Sequence, residues 1–231
     1  MSHTHEREGI ITLTKDHILP VDSVFIPEDY RDKLDGIIIT NGMIEDRSAK
    51  LAYDLHRDYG NERIQLLCIL KGGHTFFSAL TRHMQRLGMR FSYDFMRVKS
   101  YSGTESTGNV RIEGVDLSIM KNRHVVVVED IIDTGKTMQA LLPVIEAQGA
   151  KSVATCVLCE KNTPLSCGYK SNYCGFIVPD MFIVGDGFDF DEVMREMPHV
   201  GCISKYGIEY YTHHKLFENE LRVCWKQAIC R

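Results

Sequence analysis

HVVVVEDIIDTGKT, residues 124–137, decides the fold. Its four consecutive valines, Val125 to Val128, leave no face for water, so the run reads as a strand covered on both sides at the centre of a parallel sheet. Three acids follow, Glu129, Asp130 and Asp133, and then Thr134-Gly135-Lys136-Thr137. Beyond them Met138, Leu141, Leu142 and Ile145 recur at helical spacing up to Gly149, a helix stop. The order is buried strand, acidic turn, glycine, helix. In open α/β sheets function sits at the carboxyl ends of the strands, and this turn is such an end.

The same organisation recurs on either side. Ile64 to Leu70 is a second continuous apolar run, stopping at Lys71-Gly72-Gly73, and a helix carrying Phe76, Phe77, Leu80, Met84 and Leu87 runs from there to Gly88. Upstream, Ile44, Ser48, Leu51, Ala52, Leu55 and Tyr59 share one helical face that ends at Gly60-Asn61. Residues 36–40, 91–98, 152–159 and 174–178 read as further strands. Strands alternating with helices predict an α/β fold, a parallel-sheet core flanked by helices with right-handed crossovers. The expected core spans residues 37–185, and residues 1–36 and 186–231 form a small hood lobe. Residues 99–114, KSYSGTESTGNVRIEG, hold few large aliphatics and read as a long functional or disordered loop. The segment from Lys205 onward, a C-terminal extension with the only tryptophan, Trp225, mixes aromatic and charged residues and reads as partly helical.

Composition narrows the function classes. A chain of 231 residues, 44% hydrophobic and 25% charged, suits one soluble globular core. A net charge of -4 argues against sequence-independent nucleic-acid binding, which needs clustered lysine and arginine, but permits a local site for a small phosphorylated molecule. There is no apolar signal region and no run near the ~20 residues that span a bilayer, so no membrane partner is expected. The eight cysteines are expected reduced, in a cytoplasmic protein.

Several look-alikes fail on spacing. Gly135-Lys136-Thr137 resembles the end of a nucleotide-triphosphatase loop, but Asp130 stands where that motif needs a glycine. No G-x-G-x-x-G opens a helix after a strand. Cys156 and Cys159 lie within a predicted strand, point to opposite faces and read as core thiols, not metal ligands. The acids at 189, 191 and 192 lack calcium-loop spacing.

The central turn has a chemistry of its own. Before a helix, the backbone N–H groups of residues 133–137 point outward at the positive end of its dipole and form an anion cradle, to which the Thr134 and Thr137 hydroxyls add donors. Gly135 lets a phosphate come close. Acids beside a phosphate site repel it, unless the ligand also carries a vicinal diol for Glu129 and Asp130 to grip. Their field would also stabilise a cationic sugar carbon in a transition state. An ordinary solvated turn with Asp133 as helix cap accounts less well for three acids in five residues after a wholly apolar strand.

VVVVEDIIDTGKT closely resembles the phosphoribosyl-pyrophosphate motif of type I phosphoribosyltransferases. LKGG at 70–73, KSY at 99–101, EKNTP at 160–164 and PDMFIVGDGFDFDEVMRE from Pro179 onward narrow the resemblance to the hypoxanthine-guanine branch, in order over residues 20–205. The resemblance implies a type I phosphoribosyltransferase fold and a transfer with Mg2+, in which hypoxanthine or guanine displaces pyrophosphate from phosphoribosyl pyrophosphate to give IMP or GMP. It implies that Glu129 and Asp130 meet the ribose hydroxyls and the metal, and that Asp133, Thr134, Gly135, Lys136 and Thr137 hold the 5′-phosphate. Leu70, Lys71 and Gly72 would form a pyrophosphate loop, often with a cis peptide before the lysine. Arg195 would pair with pyrophosphate and Asp189 with a magnesium-held water, while Ser100 and Tyr101 would close over the reacting centre. Phe182 would stack on the purine, with Ile131 and Ile183 beside it. Lys161 would donate to the 6-oxo group, and Asp133 would act as general base at N7. Family members are homodimers or homotetramers. Two departures stand out: Asp186 replaces a common tyrosine, and Leu165 replaces a common basic residue near a subunit contact. The alternatives are a regulatory protein on the same fold and a phosphoribosyltransferase for another base, such as adenine.

Overall fold

In chain order the strands are β1 (Ile11–Thr12), β2 (Leu34–Ile39), β3 (Ile64–Ile69), β4 (Phe91–Ser100), β5 (Val110–Glu113), β6 (His124–Ile132), β7 (Ser152–Asn162), β8 (Tyr173–Pro179), β9 (Ile183–Val184) and β10 (Val200–Ile203). The helices are α1 (Glu28–Arg31), α2 (Asn41–Tyr59), α3 (His74–Arg86), α4 (Lys136–Glu146) and α5 (Lys205–His214). This computed structural model describes residues 7, 9–100 and 110–214, the side chains of 99 and 100 excepted.

The valine run is β6, and it lies inside a seven-stranded sheet of order β1-β8-β7-β6-β3-β4-β5. Its neighbours β3 and β7 both run parallel to it, and only the β4–β5 pair is antiparallel. All four valines are fully buried, and they divide by parity between two cores. Val126 and Val128 pack with Leu51, Leu55, Phe76 and Leu80 of α2 and α3. Val125 and Val127 pack with Met138, Leu141 and Ile145 of α4. Alternate residues of a strand face opposite sides, so a strand sandwiched between helices must be apolar at every position. Each such valine contributes about 1.5–3 kcal/mol of burial.

Local signals set the helix ends. The Thr40 hydroxyl accepts from the Met43 N–H at 3.3 Å and starts α2, and Gly60, at φ +54, ends it. The described cysteines are free, and among them only Cys167 is exposed. Cys156 and Cys159 both join the core cluster under α2 and α3, so the expected opposite facing fails at that end of β7, but they remain core thiols.

A second sheet, β2-β10-β9, is antiparallel and closes over its own core of Ile26, Leu34, Ile37, Met194, Met197 and Tyr211. The strand expected to open the core at residue 37 therefore belongs to the small lobe, as does β9, while β1 pairs with β8 of the large sheet. The stretch expected as a loop at 99–114 begins and ends as strand, because Val98, Lys99 and Ser100 pair with Ile112, Arg111 and Val110. Tyr101 lies outside the described residues, as do 215–231 with Trp225. No helix among the described residues is long and apolar enough to cross a membrane.

Candidate active site

The chain leaves β3 through α3 towards β4 on one side, and leaves β6 through α4 towards β7 on the other. Because β3 and β6 are adjacent, the loops after them open side by side at a topological switch point, where α/β sheets bind ligands. The approach is close enough that a methyl group on Gly72 would overlap the Asp130 carboxylate, its Cβ falling 2.6 Å from Cγ. A methyl on Gly73 would come within 3.4 Å of Glu129 Cα. The Leu70–Lys71 peptide is cis, as the resemblance implies, and the Leu70 N–H donates to the Met96 carbonyl at 2.8 Å.

Two hollows lie along this edge and share Ile131 and Asp133. One, of about 120 Å³, is lined by Glu129, Thr134, Gly135 and Thr137. Gly135 is the N-cap of α4, at φ +82, and no side chain caps the helix. Apart from the Lys136 N–H, which donates to Thr134 Oγ1 at 3.5 Å, the first-turn N–H groups are thus left for a ligand, and Asp133 is not used as a cap. Glycine is needed here twice over, for its left-handed backbone and because a Cβ would press within 2.9 Å of Cys167 Sγ and Tyr169 Cβ. Lys136 points to solvent, with its N–H 3.5 Å from Thr134 Oγ1.

The other hollow, of about 190 Å³, is lined by Asp130, Lys161, Phe182, Ile183 and Asp189. Lys161 lies near the end of β7 with its Nζ 3.2 Å from Asp133 Oδ1, so a cation and an acid face each other where the two hollows meet. Phe182 is 48% exposed and is held edge-on by Phe190, at 5.3 Å and 68° between rings, which leaves a ring face open. Buried Phe188 also lines this hollow. Sequence reading missed Phe188 and Phe190, whose only signal was aromatic spacing within GDGFDFDE.

The cations beside this cleft carry counter-ions. Lys71 Nζ is 2.7 Å from Glu192 Oε2. Arg195 Nη2 is 2.8 Å from Asp189 Oδ1 and 3.5 Å from Glu192 Oε1, while its Nη1 donates to the Gly187 carbonyl at 2.6 Å. Asp191, Glu192 and Met194 are all left-handed, at φ +51, +70 and +71. A methyl on Gly187 would overlap the Gly72 carbonyl oxygen, so this turn sits directly on the loop after β3.

Burial pushes the Glu129 and Asp130 carboxyls above the usual range, and the neighbouring Asp130 charge raises Glu129 further. Such a pair favours ligands that bring positive charge or hydroxyl donors. No three His, Cys, Asp or Glu side chains among the described residues are placed to hold a metal by themselves. Two adjacent carboxylates suit Mg2+ where water and a ligand's own oxygens complete the shell, as those of a diphosphate and a diol would.

Asp186 is 5% exposed, and its Oδ2 has no hydrogen-bond partner. Burial, with Glu45 and Asp130 nearby, pushes its carboxyl up to about 7. An unfolded aspartate titrates near ~3.9, so between these values the unfolded chain ionises first, and folded-state stability falls as pH rises towards 7. Asp186→Asn, which tolerates the left-handed backbone at φ +50, should remove a loss of up to about 4 kcal/mol. Urea unfolding should find the variant more stable than the parent at pH 8 and the two converging towards pH 4. Parallel pH curves would refute this account of Asp186. Leu165, the other departure, is exposed at 71%.

Residues 37–192 match the family model described as phosphoribosyl transferase domain. The chain is 39% identical over 200 residues to the hypoxanthine-guanine-xanthine phosphoribosyltransferase of Plasmodium falciparum, covering 83% of this chain and 87% of that protein. It is 39% identical over 210 residues to the Homo sapiens hypoxanthine-guanine phosphoribosyltransferase, covering 88% and 96% respectively. Among solved structures, the Schistosoma mansoni hypoxanthine-guanine phosphoribosyltransferase in complex with IMP superposes with a TM-score of 0.71 at 28% identity, over 87% of this chain and 98% of that one. The Staphylococcus aureus hypoxanthine phosphoribosyltransferase gives 0.72 at 30% identity, over 79% and 98%.

Proposed function

The chain belongs to the phosphoribosyltransferase family, and from that membership we infer that it is a purine-salvage enzyme. It transfers the phosphoribosyl group of phosphoribosyl pyrophosphate to hypoxanthine or guanine, giving IMP or GMP and pyrophosphate. The observation that carries the site assignment is the meeting of two hollows at Asp133, one ending in an uncapped helix and the other holding a lysine and an open aromatic face.

In this reading the 5′-phosphate sits on the first turn of α4, among Thr134, Gly135, Lys136 and Thr137. Glu129 and Asp130 accept from the ribose hydroxyls, and their field stabilises the positive charge that develops at the sugar carbon as pyrophosphate leaves. The purine stacks on Phe182, between Ile131 and Ile183. Its N9 attacks the sugar carbon, the bond to the pyrophosphate oxygen breaks, and Asp133 takes the N7 proton. Lys71, with the Leu70–Gly72 backbone, and Arg195 receive the diphosphate, where a guanidinium fork fits two oxygens at once. Glu129, Asp130 and Asp189 are the residues that would hold Mg2+, which would supply neutralisation of the diphosphate charge. Closure of Ser100 and Tyr101 over the reacting centre, which the resemblance implies, falls on side chains outside the described residues. The seven-stranded sheet and its helices serve as the transferase core and the β2-β10-β9 lobe as its hood, in a homodimer or homotetramer, which sedimentation measurements test.

Incubation with hypoxanthine, phosphoribosyl pyrophosphate and Mg2+ should release pyrophosphate and form IMP. Adenine should not substitute, because Lys161 has only donors and would face the 6-amino group, donor to donor. Faster turnover of adenine than of hypoxanthine would reject the base assignment. Lys161→Ala should raise KM for hypoxanthine and guanine by about tenfold or more, the cost of losing a hydrogen bond from a charged donor, with KM for phosphoribosyl pyrophosphate nearly constant. An unchanged purine KM would show that the contact is not made.

A further inference from the structure

Glu192 has no part in the transfer as described, yet its carboxylate lies between the two cations assigned to pyrophosphate. One oxygen is 2.7 Å from Lys71 Nζ and the other 3.5 Å from Arg195 Nη2. The backbone fixes that position. The Glu192 N–H donates to Asp189 Oδ2 at 2.7 Å, and the other Asp189 oxygen holds Arg195 at 2.8 Å. The turn therefore presents the carboxylate to a lysine on a different loop. We propose that Glu192 is a built-in stand-in for diphosphate, an anion that neutralises Lys71 and Arg195 in the ligand-free enzyme and that pyrophosphate or phosphoribosyl pyrophosphate must displace.

The chemistry matches on both sides. A carboxylate and a phosphoryl group each offer adjacent anionic oxygens to the same donors, and they cannot share the two cations without repelling one another. Displacement lowers the affinity of the site for any diphosphate, and it lowers it for the product as much as for the substrate. Product release is thereby favoured over retention, which matters in an enzyme that must shed pyrophosphate in every cycle. Lys71 and Glu192 are both about half exposed, so the effect is a modest factor and not an absolute block. Glu192 is thus an affinity-setting residue for the leaving group.

This inference rests on the assignment of Lys71 and Arg195 to pyrophosphate, and the experiment separates the two. The inhibition constant for pyrophosphate and the KM for phosphoribosyl pyrophosphate are measured for the parent enzyme, Glu192→Gln, Lys71→Ala and the double variant. Glu192→Gln keeps shape and backbone bonding while removing the charge, and both constants should fall by about three- to fivefold. Lys71→Ala should raise both, and in its background the gain from Glu192→Gln should shrink, since the two residues act through one contact. If Glu192→Gln leaves both constants unchanged or raises either while Lys71→Ala weakens pyrophosphate, the stand-in is refuted and the pyrophosphate site survives. If Lys71→Ala also leaves pyrophosphate binding unchanged, the assignment of the loop itself is wrong.

Discussion

Asp133→Asn is expected to lower kcat by about 10²-fold or more while KM for phosphoribosyl pyrophosphate changes little. Asp133 borders both hollows, so under the proposed function it is the acid that touches the purine in one and stays beside the phosphate turn of the other. Asparagine keeps the size of the side chain and one acceptor oxygen, but it cannot take the proton that N7 must lose. The fold gives no separate reason for a loss. Gly135 and not Asp133 caps α4, and the side chain is mostly exposed, so the thermal midpoint should stay within a few degrees. The pairing with Lys161 at 3.2 Å adds a second readout. Without the carboxylate Lys161 loses its counter-ion, so purine KM should move far less than kcat. Single-turnover measurement with enzyme in excess isolates the chemical step from product release. A near-normal single-turnover rate in Asp133→Asn would remove this residue as the base.

Much of this was legible in the sequence, for reasons that differ from element to element. The four valines of β6 announced a doubly covered strand because a sheet between two helical layers leaves no polar position. The turn after them was readable as a helix start because Gly135 takes a left-handed backbone at the N-cap of α4, a position that favours glycine. Other parts depend on partners far along the chain. β7 was expected to stop at Cys159, where apolar residues give way to charge, yet pairing continues to Asn162 opposite Pro179. The charge is buried because Glu160 accepts from Ser171 N–H and hydroxyl at 2.8 and 2.6 Å and from Arg7 at 2.7 Å. That network holds its carboxyl below the usual range despite burial, and no local pattern reveals it. The apolar run at Ile37–Ile39 likewise identified a strand but not its sheet, since pairing with β10 bridges most of the chain. Glu192 stood out in the sequence only as one of the acids at 189, 191 and 192, with nothing local to pair it with Lys71. Its importance is a matter of which two cations lie beside it.

The closeness of the two loops yields the other large effect: Gly72→Ala should reduce kcat/KM for phosphoribosyl pyrophosphate by about 10²-fold or more, the scale of a displacement of roughly 1 Å at a reacting centre. Gly72 is not in the left-handed region, so an alanine there is opposed by space and not by backbone preference. The space is taken by Asp130, which a Cβ would overlap. Either Asp130 swings out of its place or the Leu70–Gly73 loop lifts off β6 and carries Lys71 with it, and under the proposed function each response damages sugar or diphosphate binding. Stability should suffer less, because the crowded atoms border the cleft and leave the valine core intact. Gly187→Ala is the contrasting case. There a Cβ would overlap the Gly72 carbonyl and the backbone is left-handed at φ +100, so that variant should lose stability as well as activity. The cause of the Gly72→Ala defect can be isolated with Asp130→Ala, which removes the obstructing carboxylate together with its ribose contact. In the double variant Gly72→Ala should add little to the loss from Asp130→Ala alone, whereas two independent defects would multiply. Full multiplication would mean that the loop and the acid do not press on one another, and the adjacency that organises this site would have to be abandoned.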